Sequence, residues 1–173
     1  DWVHLDNIRD DLLGFTYTEV DQIYDTNGGN AGDVTSGLNE GRSIINYTGH
    51  GSNTSWSSTG FSNTHVNSLQ NDYKLPYINS VACVNGNFVS TTCFAEAWLR
   101  ATNNSTGAPT GAVAIYASSI NQSWADPMSA QDEAVDLLCG SGPYDNQGTQ
   151  MTTLGALWYN SSCLMLDEYN AVS

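Results

Sequence analysis

The stretch SIINYTGHGS, residues 43–52, is a short apolar run that stops at a glycine and then sets His50 between Gly49 and Gly51. Such a run, bounded by turn formers, has the pattern of a strand buried on both faces. His50 falls where strand becomes loop and the flanking glycines leave the backbone least constrained. A second run of this kind, LPYINSVAC (75–83), has Pro76 at its start, where a strand tolerates it, and breaks into VNGN (84–87). A third, GAVAIYAS (111–118), leads into SINQSW (119–124).

Helical patterns separate these runs. CFAEAWLRA (93–101) repeats Phe94, Ala97, Trp98 and Ala101 at helical spacing. Residues 2–13 align Leu5, Ile8 and Leu12, and 33–41 form a short helix. SNTHVNSLQ (62–70) reads as a short helix capped by Ser62. SAQDEAVDLLC (129–139) opens on a Ser129/Asp132 capping-box pattern, and a last helix over 150–168 turns Leu154, Leu157, Trp158 and Met165 inward. FTYTEVDQIY (15–24) alternates like a strand and DTNGGNAGD (25–33) is a loop. Short apolar strands alternating with helices predict an α/β fold, a mainly parallel sheet with helices on both faces. Ligands of such sheets sit at the carboxyl ends of the strands, which brings the loops of His50, Cys83 and Gln122–Trp124 to one edge.

The chain has 173 residues and a formal net charge of −14, with four unclustered basic residues, Arg9, Arg42, Lys74 and Arg100. An anionic surface repels phosphate backbones, so no nucleic-acid partner is expected. No run approaches the ~20 apolar residues of a membrane span. The sequence opens directly on a helical pattern and stops without a turn signal. The expectation is a catalytic subdomain over 1–173, incomplete at both ends, either a processed chain or a fragment. The spacing of Cys83, Cys93, Cys139 and Cys163 fits no zinc site, and four cysteines are too few for a disulfide framework.

A cysteine and a histidine on neighbouring strand ends suit nucleophilic catalysis. The imidazole takes the thiol proton, and the thiolate attacks. The N–H groups of Gly51 and Cys83 are placed to face a developing oxyanion. Cys93, Cys139 and Cys163 read as buried thiols, and His4 and His65 as structural or exposed.

An apolar block followed by His-Gly, then another followed by Ala-Cys, resembles the caspase, legumain and gingipain group of cysteine peptidases. NYTGHGS, LPYINSVACVNGNF, CFAEAWLRA, PTGAVAIYASSINQSWADPM and QDEAVDLLC resemble the Arg-specific gingipains, and the likeness runs from residue 1 to about 168. It implies a caspase-like three-layer sandwich and an endopeptidase cleaving after Arg. Cys83 is then the nucleophile and His50 the base and later the acid. Asp1, Thr48, Ser52, Gln122 and Trp124 match positions of the pocket for the substrate side chain; Asp126 is a second acidic candidate, more simply read as a turn residue before Pro127. No cofactor is required for the chemistry, and the acidic charge is permissive for structural calcium. The resemblance also implies export, to the medium or a bacterial surface, and protein or peptide substrates. The family's third catalytic carboxylate falls upstream of residue 1. A second chain or another segment of the same precursor is expected to supply it. A catalytically inactive binding or structural subunit and a Cys/His transpeptidase are the alternative readings.

Overall fold

The computed structural model describes residues 2–89, 91–141 and 150–169, which group into two compact units. One unit comprises residues 21–122 and holds every strand among the described residues. The other comprises 1–20 and 123–173 and is helical where described.

In the first unit, β1 (Ile44–Thr48), β4 (Tyr77–Val81) and β5 (Ala114–Ala117) form a parallel sheet in the order β1-β4-β5. These are the three apolar runs read from the sequence. Thr48 pairs with Val81, and Ser80 pairs with Ala117. One face carries Ile45, Tyr47, Ile78, Ala82 and Ile115 into an aromatic core. There Trp56 stacks on Tyr47 with ring centroids 4.6 Å apart and meets Phe94 edge-on at 5.1 Å. On the opposite face of β4, Asn79 and Val81 are buried as well.

The α-helices of this unit are α2 (Ala31–Glu40), α3 (Asn63–Val66) and α4 (Phe94–Arg100). The periodicity of α4 is realised, since Phe94, Ala97, Trp98 and Ala101 are all buried. Ser62 is the N-cap of α3, where His65 Nδ1 accepts the Ser62 N–H at 3.1 Å. That helix lasts one turn, not the nine residues expected, because Asn67 and Ser68 close it with turn hydrogen bonds. The sequence reading missed the hairpin of β2 (Gly51–Ser52) and β3 (Ser55–Trp56), whose strands are too short to show alternation.

In the second unit, α5 (Ala125–Cys139) packs against α1 (Trp2–Phe15) and α6 (Leu154–Tyr169). Ile8, Leu12, Ala134, Leu137 and Leu157 are buried there. Two expectations are corrected. Residues 16–24 follow α1 without joining a ladder among the described residues; an alternating pattern makes a strand only where a neighbour accepts its hydrogen bonds. Helix α5 begins four residues before Ser129, so Ser129 is no cap, and its hydroxyl donates to Glu168 instead. Pro127 does not delay the start. It occupies the first turn, where N–H groups have no intrahelical acceptor.

Candidate active site

The parallel register sets the geometry. His50 lies two residues beyond Thr48 and Cys83 two residues beyond its partner Val81, so both leave adjacent strands at the same level. The two strand ends stay in contact past the ladder. The Gly49 N–H donates to the Val81 carbonyl at 3.1 Å. A Cβ on Gly51 would stand 2.8 Å from both Ala82 Cβ and the Cys83 carbonyl oxygen, so only glycine lets the histidine loop lie this close. His50 is exposed and Cys83 partly buried, as reacting groups at a strand edge must be.

Each loop is held by its own bonds. The Tyr47 hydroxyl donates to the His50 carbonyl at 2.8 Å, and the Ser57 N–H donates to the same carbonyl at 2.8 Å. Burial raises the Tyr47 hydroxyl above its ordinary range, so it stays a donor at neutral pH. After Cys83 the chain reverses through Val84, a β-branched residue at φ 53°. A left-handed backbone there costs about 1–2 kcal/mol. It sends the Val84 N–H to the Ile120 carbonyl at 3.0 Å and the Gly86 N–H to the Ser118 carbonyl at 2.8 Å. Val84's amide is thus consumed by the loop after β5. Among the described residues no backbone carbonyl takes the Cys83 N–H. Gly51 faces Trp56 across the hairpin, but Trp56's own N–H goes to Phe61 and the neighbouring bond joins Ser57 to His50. The Gly51–Trp56 pair is therefore non-hydrogen-bonded, and the Gly51 N–H points away from the hairpin partner.

Of the expected pocket residues, Thr48 ends β1 and Ser52 lies in β2, its hydroxyl 2.8 Å from that of Ser55. The Gln122 main-chain carbonyl is 3.8 Å from Cys83 Sγ, and the Gln122 side-chain Nε2 is buried with no hydrogen-bond partner among the described residues. The structure thus brings His50, Gly51, Cys83, Thr48, Ser52 and Gln122 into one unit. Trp124 belongs to the other unit, as the half-exposed N-cap residue of α5, and Asp126 sits in that helix's first turn. Asp1 lies outside the described residues. His65 stacks on Phe61, and His4 pairs with Gln131 Oε1 at 3.0 Å, so both histidines have structural places. All four cysteines are free thiols; Cys93 is buried, whereas Cys139 and Cys163 are partly exposed. Burial and then Asp11 push the Cys139 thiol up to about 11, which suits an unreactive group. Among the described residues no group of three or more His, Cys, Asp or Glu side chains converges as a metal-ligand set.

The sequence reading missed Asn85, Ser80 and Trp56, which form one chain of hydrogen bonds beneath the two loops. The available signal was two polar residues, Ser80 and Asn85, bracketing the apolar approach to Cys83.

The model of peptidase family C25 matches residues 4–171. Gingipain R2 and gingipain R1 of Porphyromonas gingivalis are each 43% identical to this chain over 167 residues, 96% of its length. The chain spans only 22% and 16% of those relatives. The crystal structure of the Arg-specific cysteine proteinase gingipain R superposes with a TM-score of 0.91 at 41% identity, over 99% of this chain and 38% of the other. A complex of the RgpB pro- and mature domains matches with a TM-score of 0.87 at 42% identity, over 97% of this chain and 38% of the other. The expected caspase-like α/β fold holds. A family match over nearly the whole chain, with identity above 40%, places it plainly: the chain belongs to peptidase family C25.

Proposed function

We propose that this chain carries the nucleophile and the base of a cysteine endopeptidase that cleaves after arginine. The observation that carries the reading is the register, which puts His50 and Cys83 at the same level on the carboxyl ends of adjacent parallel strands. His50 takes the proton of Cys83, and the thiolate adds to the scissile carbonyl carbon. The amides of Gly51 and Cys83 receive the oxyanion; Val84's amide, spent on Ile120, does not compete for that role. Collapse of the intermediate breaks the C–N bond. His50 returns the proton to the leaving amine, and water then hydrolyses the thioester with His50 as base. Thr48, Ser52 and Gln122 support the pocket assignment by lying with the pair. Asp1 and Trp124 enter it through the family resemblance alone.

The Arg preference follows the relatives described as Arg-specific and gingipain R. A solved relative is a complex of pro- and mature domains, which supports reading this chain as working with further segments of its own protein; export to the medium or cell surface enters through the family resemblance alone. No helix of the described residues is long and apolar enough to cross a membrane. Structural calcium is retained as an expectation, to be tested by chelation.

The test is cleavage of fluorogenic peptides with Arg, Lys or Asp before the scissile bond, with and without alkylation. Cys83→Ala is expected to abolish turnover with the fold intact, and Asp1→Asn to depress arginine substrates selectively. Absence of cleavage together with absence of preferential Cys83 labelling would sink the reading.

A further inference from the structure

Asn85 is fully buried two residues after Cys83, and every polar atom of its side chain is directed. Its amide nitrogen donates to the Ser52 carbonyl at 2.6 Å and to the Ser55 carbonyl at 3.2 Å, the two ends of the hairpin turn that follows His50-Gly51. Its amide oxygen accepts the Ser80 hydroxyl at 3.0 Å, and that hydroxyl in turn accepts the Trp56 indole N–H at 2.9 Å. The relay leaves no freedom to flip the amide. Trp56 can only donate, so Ser80 spends its own proton on Asn85 Oδ1, and Nδ2 must face the carbonyls. Asn85's own carbonyl accepts the Ala95 N–H at 2.9 Å, anchoring the side chain's backbone to α4.

We propose that Asn85 is a positioning residue: its amide clamps the histidine-bearing hairpin to the cysteine-bearing strand end and thereby sets the separation of His50 and Cys83. The inference rests on the Cys83/His50 reading above. Among the described residues no other side-chain hydrogen bond joins the hairpin turn to the segment after Cys83. The Cβ envelope of Gly51, 3.0 Å from Asn85 Nδ2, shows how little slack the clamp allows. The role differs from packing because the bonds are directional and terminate on the backbone of Ser52, next to the proposed oxyanion donor Gly51.

The experiment uses the full-length protein and the variants Asn85→Asp and Ser80→Ala, with folding checked by circular dichroism. The readouts are kcat/KM and the pH profile of Cys83 alkylation by iodoacetamide. Asn85→Asp keeps the shape but loses the amide donor. It is expected to lower kcat/KM at least tenfold at pH 8, with the ratio to wild type recovering severalfold at pH 5. There the carboxyl, flanked by two carbonyls, carries a proton and can donate again. Ser80→Ala adds no charge and frees the amide to turn; it is expected to lower kcat/KM severalfold and to weaken alkylation on the acidic side of the profile. Should Asn85→Asp fail to fold, Ser80→Ala alone decides. Folded variants with wild-type kcat/KM and an unchanged alkylation profile would overturn the clamp while leaving the Cys/His reading intact. A wild-type protein with neither cleavage nor acid-side alkylation of Cys83 would remove that reading, and this inference with it.

Discussion

Replacing Trp56 by phenylalanine separates what holds the first unit together from what aligns its site. Trp56 is 1% exposed, at the centre of a cluster with Tyr47, Phe61, Phe94 and Trp98. The smaller ring loses the indole donation to Ser80, worth about 1 kcal/mol. It also leaves a void on the order of 40 Å³, which at about 24 cal/mol per Å³ costs roughly 1 kcal/mol more. Weakening the 13° stack on Tyr47 adds about 0.5 kcal/mol. The expected loss is therefore about 2–3 kcal/mol, a large share of the ~5–15 kcal/mol that holds a typical domain folded. Urea unfolding of the full-length protein, followed by near-ultraviolet circular dichroism, measures it. The Ser80 hydroxyl still donates to Asn85 in this variant, so Cys83 alkylation under native conditions is expected to keep its wild-type pH profile. A stability loss below about 1 kcal/mol would refute the packing estimate. A stability loss of the calculated size accompanied by a shifted alkylation profile would refute the expectation that the Ser80–Asn85 bond survives without the indole.

Two further predictions address places where charge or conformation is under stress. In the helical unit, burial, then Asp132 and Asp11, raise the Asp136 carboxyl to about 6 from an ordinary 3.8. Between those values the native state holds more protons than the unfolded chain, so stability falls as pH rises from about 4 through 6. Asp136→Asn is expected to stabilise at pH 7–8, by about 1 kcal/mol after allowing for solvent screening of a half-exposed group, and to do nothing near pH 4; equal effects in thermal melts at both pH values would contradict this. Gly111, at φ 80° with its missing Cβ 2.2 Å from the Trp98 carbonyl oxygen, cannot accept a methyl without displacing the loop into β5. Gly111→Ala is expected to cost on the order of 3 kcal/mol, from the left-handed penalty plus overpacking, and a melting temperature within a degree of wild type would overturn that.

Legibility in the sequence followed the range of the interactions. The three sheet strands, the buried face of α4 and the two residues that end strands at His50 and Cys83 were readable because hydrophobic period and turn chemistry are local. FTYTEVDQIY misled for the complementary reason: alternation records which side chains seek burial, not whether a neighbouring strand exists to take the backbone bonds. Ser129 misled because capping patterns compete, and α5 begins at Ala125, with Asp126 and Pro127 in its first turn and not in a turn before it.

From the sequence by itself come the residue types of the candidate site, their order and their placement at strand ends, since each is written in a few consecutive residues. Tertiary structure alone decides that Thr48 pairs with Val81, that Val84 spends its amide on Ile120, and that Asn85 reaches back across thirty-three residues to Ser52. Those are directional bonds between distant segments. No local propensity encodes them, because they exist only once packing has brought their donors and acceptors within hydrogen-bond reach.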